Sequence, residues 1–196
     1  MKLAVVVLAA GGSRRLGRPK QLLPYRGGTL LHAVLTTVRQ LPAEQILVTL
    51  GASSNEIVEQ VDLSGVDLAV TPDFGEGCAA SIRSALALVR RDADGLVLLL
   101  GDQPGVRVDA VQRLCAEAGG AAMGVCRYDD GRGHPLWFHR RTFDALRGMH
   151  GDKAVWKLLT AADDLVEVRV PGRVPLDVDT WQDYEELLAQ DRQAVR

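Results

Sequence analysis

The chain has 196 residues, of which 47% are apolar and 24% charged, and its net charge is −2. A chain of this length buries about 70% of its unfolded surface in one core, so a single domain over residues 1–196 is expected. With no basic excess, broad binding to nucleic acid or to a membrane surface is excluded, and any anion site must be local. Cys78, Cys115 and Cys126 are odd in number and never spaced as C-x-x-C, which argues against a disulfide framework or zinc knuckle and for a reducing cytoplasm. No run reaches the ~20 apolar residues of a membrane span.

The first element is a strand over Leu3–Leu8. One charge, a short apolar stretch and small residues give Lys2–Ala10 the outline of a secretory signal, but the consecutive valines and the arginines at 14 and 15 favour a strand buried on both faces. Further strands are predicted at Gln45–Leu50, Leu68–Thr71, Gly95–Leu100 and Ala121–Arg127. Helices are predicted between them at Thr29–Gln40, Asn55–Val61, Ala79–Arg91 and Val108–Ala118. This alternation implies β-α-β units with right-handed crossovers, hence a three-layer α/β domain with a mostly parallel sheet. After Arg127 the rhythm changes: "YDDGRGHPLWFHRRTF" offers Asp130-Gly131 turn chemistry between strand-like pieces and reads as an inserted β-hairpin followed by a short helix. "GDKAVWKLLTAADD" reads as a helix, "LVEVRV" as a strand and "DTWQDYEELLAQD" as a final helix capped by Asp179 or Thr180.

Ligands of parallel sheets bind beyond the carboxyl ends of the strands. Two strand exits stand out. In "LAAGGSRRLGRPK", Gly11, Gly12 and Gly17 permit tight turns that aim N–H groups inward, while Arg14, Arg15, Arg18 and Lys20 add positive charge; the guest is an anion. The stretch fits neither the P-loop, since Arg18-Pro19 replaces Lys-Ser/Thr, nor G-x-G-x-x-G. The second exit, "GLVLLLGDQP", delivers Asp102, a carboxylate suited to holding Mg²⁺ against phosphate oxygens or to capping the following turn. Asp177 and Asp179 have strand-alternate spacing, so one is a candidate second metal ligand and the other a cap.

The motifs L-A-A-G-x-S-x-R-x-G-x-x-K-Q-L-L, G-D-Q-P, G-H-P and D-V-D-T, in this order, resemble the nucleotidyltransferases of molybdenum-cofactor maturation, especially the cytidylyltransferase branch. The resemblance implies a Rossmann-like fold, Mg²⁺, and transfer of CMP from CTP to the terminal phosphate of molybdopterin with release of pyrophosphate. It also implies a molybdoenzyme or its chaperone as a further partner. Carried over by position, Ala9, Ala10, Gly11, Gly12 and Ser13 wrap the nucleotide, Arg15 and Lys20 hold phosphates, and Asp102 and Asp179 bind metal. "PDFGEGCAASIRSAL" is similar to the family's base-recognition segment and brings in Gly77, Cys78 and Ser81, with Phe74 for Trp and Cys78 for Met. His134, Asp152 and Lys153 fall in motifs expected near the acceptor, although "GDKAVW" departs from the usual G-D-K-G-A-R. Removal of Lys20 or Arg15 is expected to cost turnover far more than stability.

Three other readings compete. The isoprenoid-pathway cytidylyltransferase shares P-K-Q, but its H-D-A-A-R-P is absent. The guanylyl branch opens L-A-G-G with an extra residue before its Asp-Lys, and neither feature is present. A non-catalytic nucleotide-binding chaperone is disfavoured by the retained Lys20 and Asp102.

Overall fold

The computed structural model describes residues 1–194. The apolar runs form β1 (Leu3–Ala9), β4 (Gln45–Leu50), β5 (Asp67–Val70) and β6 (Gly95–Leu100), each within about one residue of its expected span. Between them lie α1 (Leu30–Val38), α2 (Ser54–Gln60) and α3 (Cys78–Leu88). Thr29 caps α1 instead of starting it, its hydroxyl accepting from His32 N at 3.1 Å. A two-strand ribbon absent from the sequence reading, β2 (Pro24–Tyr25) and β3 (Gly28–Thr29), turns at Arg26 and Gly27, both at positive φ as a type I′ hairpin demands.

The second half comprises α4 (Val108–Ala118), β7 (Met123–Arg127), β8 (Arg132–His139), α5 (Phe143–Arg147), α6 (Ala154–Thr160), β9 (Leu165–Arg169) and α7 (Trp181–Ala194). The seven-stranded sheet has the order β5-β4-β1-β6-β8-β7-β9. It is parallel except along both sides of β8, which runs antiparallel to β6 and to β7. The hairpin closed at Asp130-Gly131 is therefore part of the main sheet and not an appended insertion. Its "PLWF" run is apolar at consecutive positions because β8 is covered on both faces. Trp137 joins the core beneath α1, α2 and α4, and Leu136 and Phe138 join the core beneath α3, α5 and α6. Gly95 makes room for this tryptophan, since a Cβ there would stand 2.3 Å from its Cη2.

A third apolar cluster fixes the functional end. Leu16, Leu23, Tyr25 and Leu30, from the segment that follows β1, pack against Val178 and Leu187 at the start and middle of the C-terminal helical region. Thr180 is the cap of α7: its Oγ1 accepts from Asp183 N at 3.2 Å while Asp183 Oδ2 accepts from Thr180 N at 2.7 Å. Asp179 is thereby left free for another task.

Candidate active site

β1 ends at Ala9, whose amide donates to Thr49 Oγ1 at 3.2 Å. The loop beyond it is held by side chains that the sequence reading overlooked. The buried Gln21 donates through Nε2 to the carbonyls of Ala9 at 2.6 Å and Gly11 at 3.2 Å. Gly51, at the end of β4, lets the loop close in; a Cβ there would stand 2.3 Å from Ala10 O. Ser13 adopts φ +48°, and its Oγ accepts from Lys20 N at 2.9 Å. Its hydroxyl thus shapes the loop and seats Lys20.

Lys20 is the centre of a charge cluster. Its ammonium meets Asp102 Oδ2 and, at 2.7 Å, Asp179 Oδ1, while Arg15 reaches Asp179 Oδ2 at 2.6 Å. The Lys20 and Asp102 side chains are each only 13% exposed, whereas Arg15 is 67% exposed. Burial pulls the Lys20 pKa down, but the two aspartates outweigh it and hold the group above its ordinary value. Asp179 shows the converse: burial pushes it up, and Lys20 and Arg15 bring it below the usual carboxylate range. At Asp177 burial, followed by the neighbouring Asp102, outweighs the pull of Gln103 and Lys20 and pushes the carboxyl up to about 6. Gln103, also buried and not foreseen, donates to Pro175 O at 3.0 Å and steadies this segment.

Two carboxylates thus converge on one cation position, filled here by an ammonium. Their hard oxygen donors suit Mg²⁺ or a similar ion. Among the described residues no three His, Cys, Asp or Glu side chains form a complete metal cluster, so any ion would draw its remaining ligands from water and substrate phosphates.

A cleft of about 190 Å³ opens beside Lys20 and Asp102. Ala9, Ala10 and Gly11 line one side, and Phe74, Gly77, Cys78 and Ser81 another. Gly12 and Ser13 stand outside this lining. Burial, then Asp152, raises the Cys78 thiol to about 11, so it is a neutral wall and not a nucleophile. A larger groove of about 920 Å³ meets the cluster from the side of Arg15, Asp177 and Asp179. Of the three residues assigned to the acceptor, Asp152 lines the small cleft, and Lys153 is exposed just ahead of α6. His134 is buried, its ring edge-on to Trp156 at 5.7 Å, and it lines neither recess. Asp152 and Lys153 are neighbours ahead of α6 and His134 packs against Trp156 of that helix, but of the three Asp152 alone lines either recess.

Among solved structures, a homologue of Mycobacterium tuberculosis Rv0371c from Mycobacterium sp. strain JC1 is 49% identical, with a TM-score of 0.93 over 98% of each chain. The complex of Rv0371c with manganese from M. tuberculosis H37Rv is 46% identical, with a TM-score of 0.88 over 96% of this chain and 99% of that one. Nicotine blue oxidoreductase of Paenarthrobacter nicotinovorans is 32% identical over 67% of this chain and 68% of its own. The molybdenum cofactor cytidylyltransferase of Escherichia coli K12 is 26% identical over 91% and 92% of the two chains. A family model covers residues 5–166, which include most of β1, the glycine loop, Asp102 and the hairpin of β7 and β8. The chain belongs to the family of the MobA-like NTP transferase domain.

Proposed function

We propose that the protein transfers CMP from CTP to the terminal phosphate of molybdopterin, using Mg²⁺ and releasing pyrophosphate. The observation that carries this reading is the convergence of Lys20, Arg15, Asp102 and Asp179 at the mouth of a base-sized cleft beyond the ends of β1 and β6. In the reaction an oxygen of the acceptor phosphate attacks the α-phosphorus, and the bond to the bridging oxygen of the β-phosphate breaks. Such chemistry needs little covalent help from the protein, so alignment and electrostatic stabilisation supply most of the acceleration. The turns at Gly11 and Gly12 let the loop approach phosphates closely. Lys20 and Arg15 place positive charge where negative charge gathers on the triphosphate. Asp102 and Asp179 would hold the cation, which when bound neutralises phosphate charge. The Ala10 methyl and the first turn of α3 enclose the base. The three thiols are free, as suits a cytoplasmic protein, and a molybdoenzyme or its chaperone is the proposed recipient of the product.

The test follows pyrophosphate release with each nucleoside triphosphate in turn, with and without molybdopterin. Acceptor-dependent release with CTP is expected. Release with GTP alone would move the protein to the guanylyl branch, and no release with any triphosphate would sink the transferase reading.

A further inference from the structure

We propose that Asp152 is a positioning residue for the nucleotide, fixing the wall of the base cleft, and not a ligand of the acceptor; the inference rests on the nucleotidyltransferase reading of that cleft. α3 supplies Cys78 and Ser81 to the cleft, yet it opens on Gly77, which has no side chain to cap the free amides of the first turn. The cap comes from 74 residues away: Asp152 Oδ1 accepts from Cys78 N at 3.0 Å. Such a bond joins a carboxylate to the positive end of a helix and is stronger than a neutral cap.

Two further bonds tie the same segments. Cys78 Sγ donates to Asp152 O at 2.9 Å, and Arg83 Nη1, in the next turn of α3, donates to Met149 O at 2.7 Å. The approach is so close that only glycine fits at position 77. Its φ is +93°, and a Cβ would stand 2.3 Å from Asp152 Oδ1 and 2.7 Å from Asp152 N. Asp152 itself lines the cleft, so one residue is both wall and tie. The glycine loop and Lys20 are held separately, by Gln21 and Ser13. Loss of Asp152 therefore loosens the grip on the base and leaves the grip on phosphates intact.

Calorimetric binding of CTP and of inorganic tripolyphosphate to the parent, Asp152→Ala and Asp152→Asn separates these contributions. Asp152→Ala should raise the Kd for CTP about tenfold, the scale of a lost helix cap, with tripolyphosphate affinity and the KM for acceptor unmoved. Asp152→Asn keeps an accepting oxygen and should restore most of the affinity. Gly77→Ala, which forces the segments apart with Asp152 present, should reproduce the selective loss and replaces Asp152→Ala should that variant not fold. Unchanged CTP affinity, an equal loss for tripolyphosphate, or a raised acceptor KM with CTP affinity intact would overturn the assignment. A parent that binds CTP no better than tripolyphosphate would instead overturn the nucleotidyltransferase reading on which it rests.

Discussion

The two recesses linked by the Lys20–Asp179 pair are built from opposite materials. Much of the wall of the cleft of about 190 Å³ comes from Ala9, Ala10, Gly77 and Ser81, residues with short side chains or none, beside Phe74 and Lys20. The groove of about 920 Å³ is lined by Arg107, Arg173, Asp183 and Glu186 as well as by Arg15 and Asp177. Short side chains have almost no rotamer freedom to lose, so such a wall keeps its shape and would select a guest by volume. The groove's arginines are long and already paired, Arg107 with Asp109 at 2.8 Å and Arg173 with Asp130 at 3.1 Å. Such side chains can re-pair around a charged guest, so selection in the groove would rest on charge more than on shape.

The harshest way to break this division is to remove Lys20, which lines the cleft and pairs with Asp179 of the groove. Lys20→Gln should lower pyrophosphate release ~100- to 1,000-fold, as loss of a preorganised charge at the reacting centre does. It should also lower unfolding free energy by about 1–3 kcal/mol, because the nearly buried Asp102 loses its cation, whereas the more exposed Asp179 keeps Arg15. At 13% exposure Lys20 costs more stability to remove than a basic side chain on the surface would. Denaturant titration alongside the rate assay checks both figures, and an undiminished rate would return the glycine loop to an ordinary surface turn. Asp102→Asn keeps the shape and removes the charge, so about hundredfold loss is expected with a raised requirement for Mg²⁺. A metal titration that matches the parent would remove Asp102 from the metal site.

His134 lies outside both recesses and serves as an internal reference for stability. Burial holds its imidazole down at about 4 against an ordinary value of 6.5. Between those values the unfolded chain binds more protons than the folded one, so this contribution is complete above about pH 6.5 and is lost as pH falls toward 4. Asp177, raised to about 6, acts in the opposite sense over the same window. Urea unfolding of the parent and His134→Gln in metal-free buffer, near pH 7 and near pH 4.5, isolates the histidine. The parent should lose about 2 kcal/mol more than the variant, and equal losses would contradict a buried neutral ring.

The contrast in selectivity is sharpened at Ala10, which is buried in the cleft wall. A purine's second ring should crowd its methyl, so the parent should favour CTP over GTP in kcat/KM, and Ala10→Gly should shift that ratio about tenfold toward GTP. An unshifted ratio would show that another wall sets base choice. On the groove side, Arg15→Ala removes a side chain that is 67% exposed and should lower turnover only about three- to tenfold, with a weaker effect at high salt. Loss equal to that of Lys20→Gln would place Arg15 at the reacting phosphate itself.

The parallel half of the sheet was legible because strands covered on both faces read as continuous apolar runs, and the rule that ligands gather at their carboxyl ends led directly to Lys20 and Asp102. The position of β8 was not, since strand order carries no local signal and a hairpin reads alike inside a sheet or beside it. The contact between Asp152 and Cys78 was equally hidden. Its partners lie 74 residues apart, and the motif around Asp152 pointed toward the acceptor. Gln21 and Gln103 escaped notice because a glutamine serving buried carbonyls looks in sequence like any surface glutamine.

The reversed seat of β8 also bears on how the chain reaches this form during synthesis. Translation delivers β6 at residues 95–100 and β7 at residues 123–127, but β7 has no place against β6 until β8, ending at His139, has entered between them. Until then the apolar edge "GLVLLL" is unpaired on a nascent polypeptide, the kind of strand edge that recruits other chains. The ribosome must therefore release about forty residues beyond β6 before that edge is sealed, although the β5-β4-β1-β6 half of the sheet has been synthesised in full by Leu100.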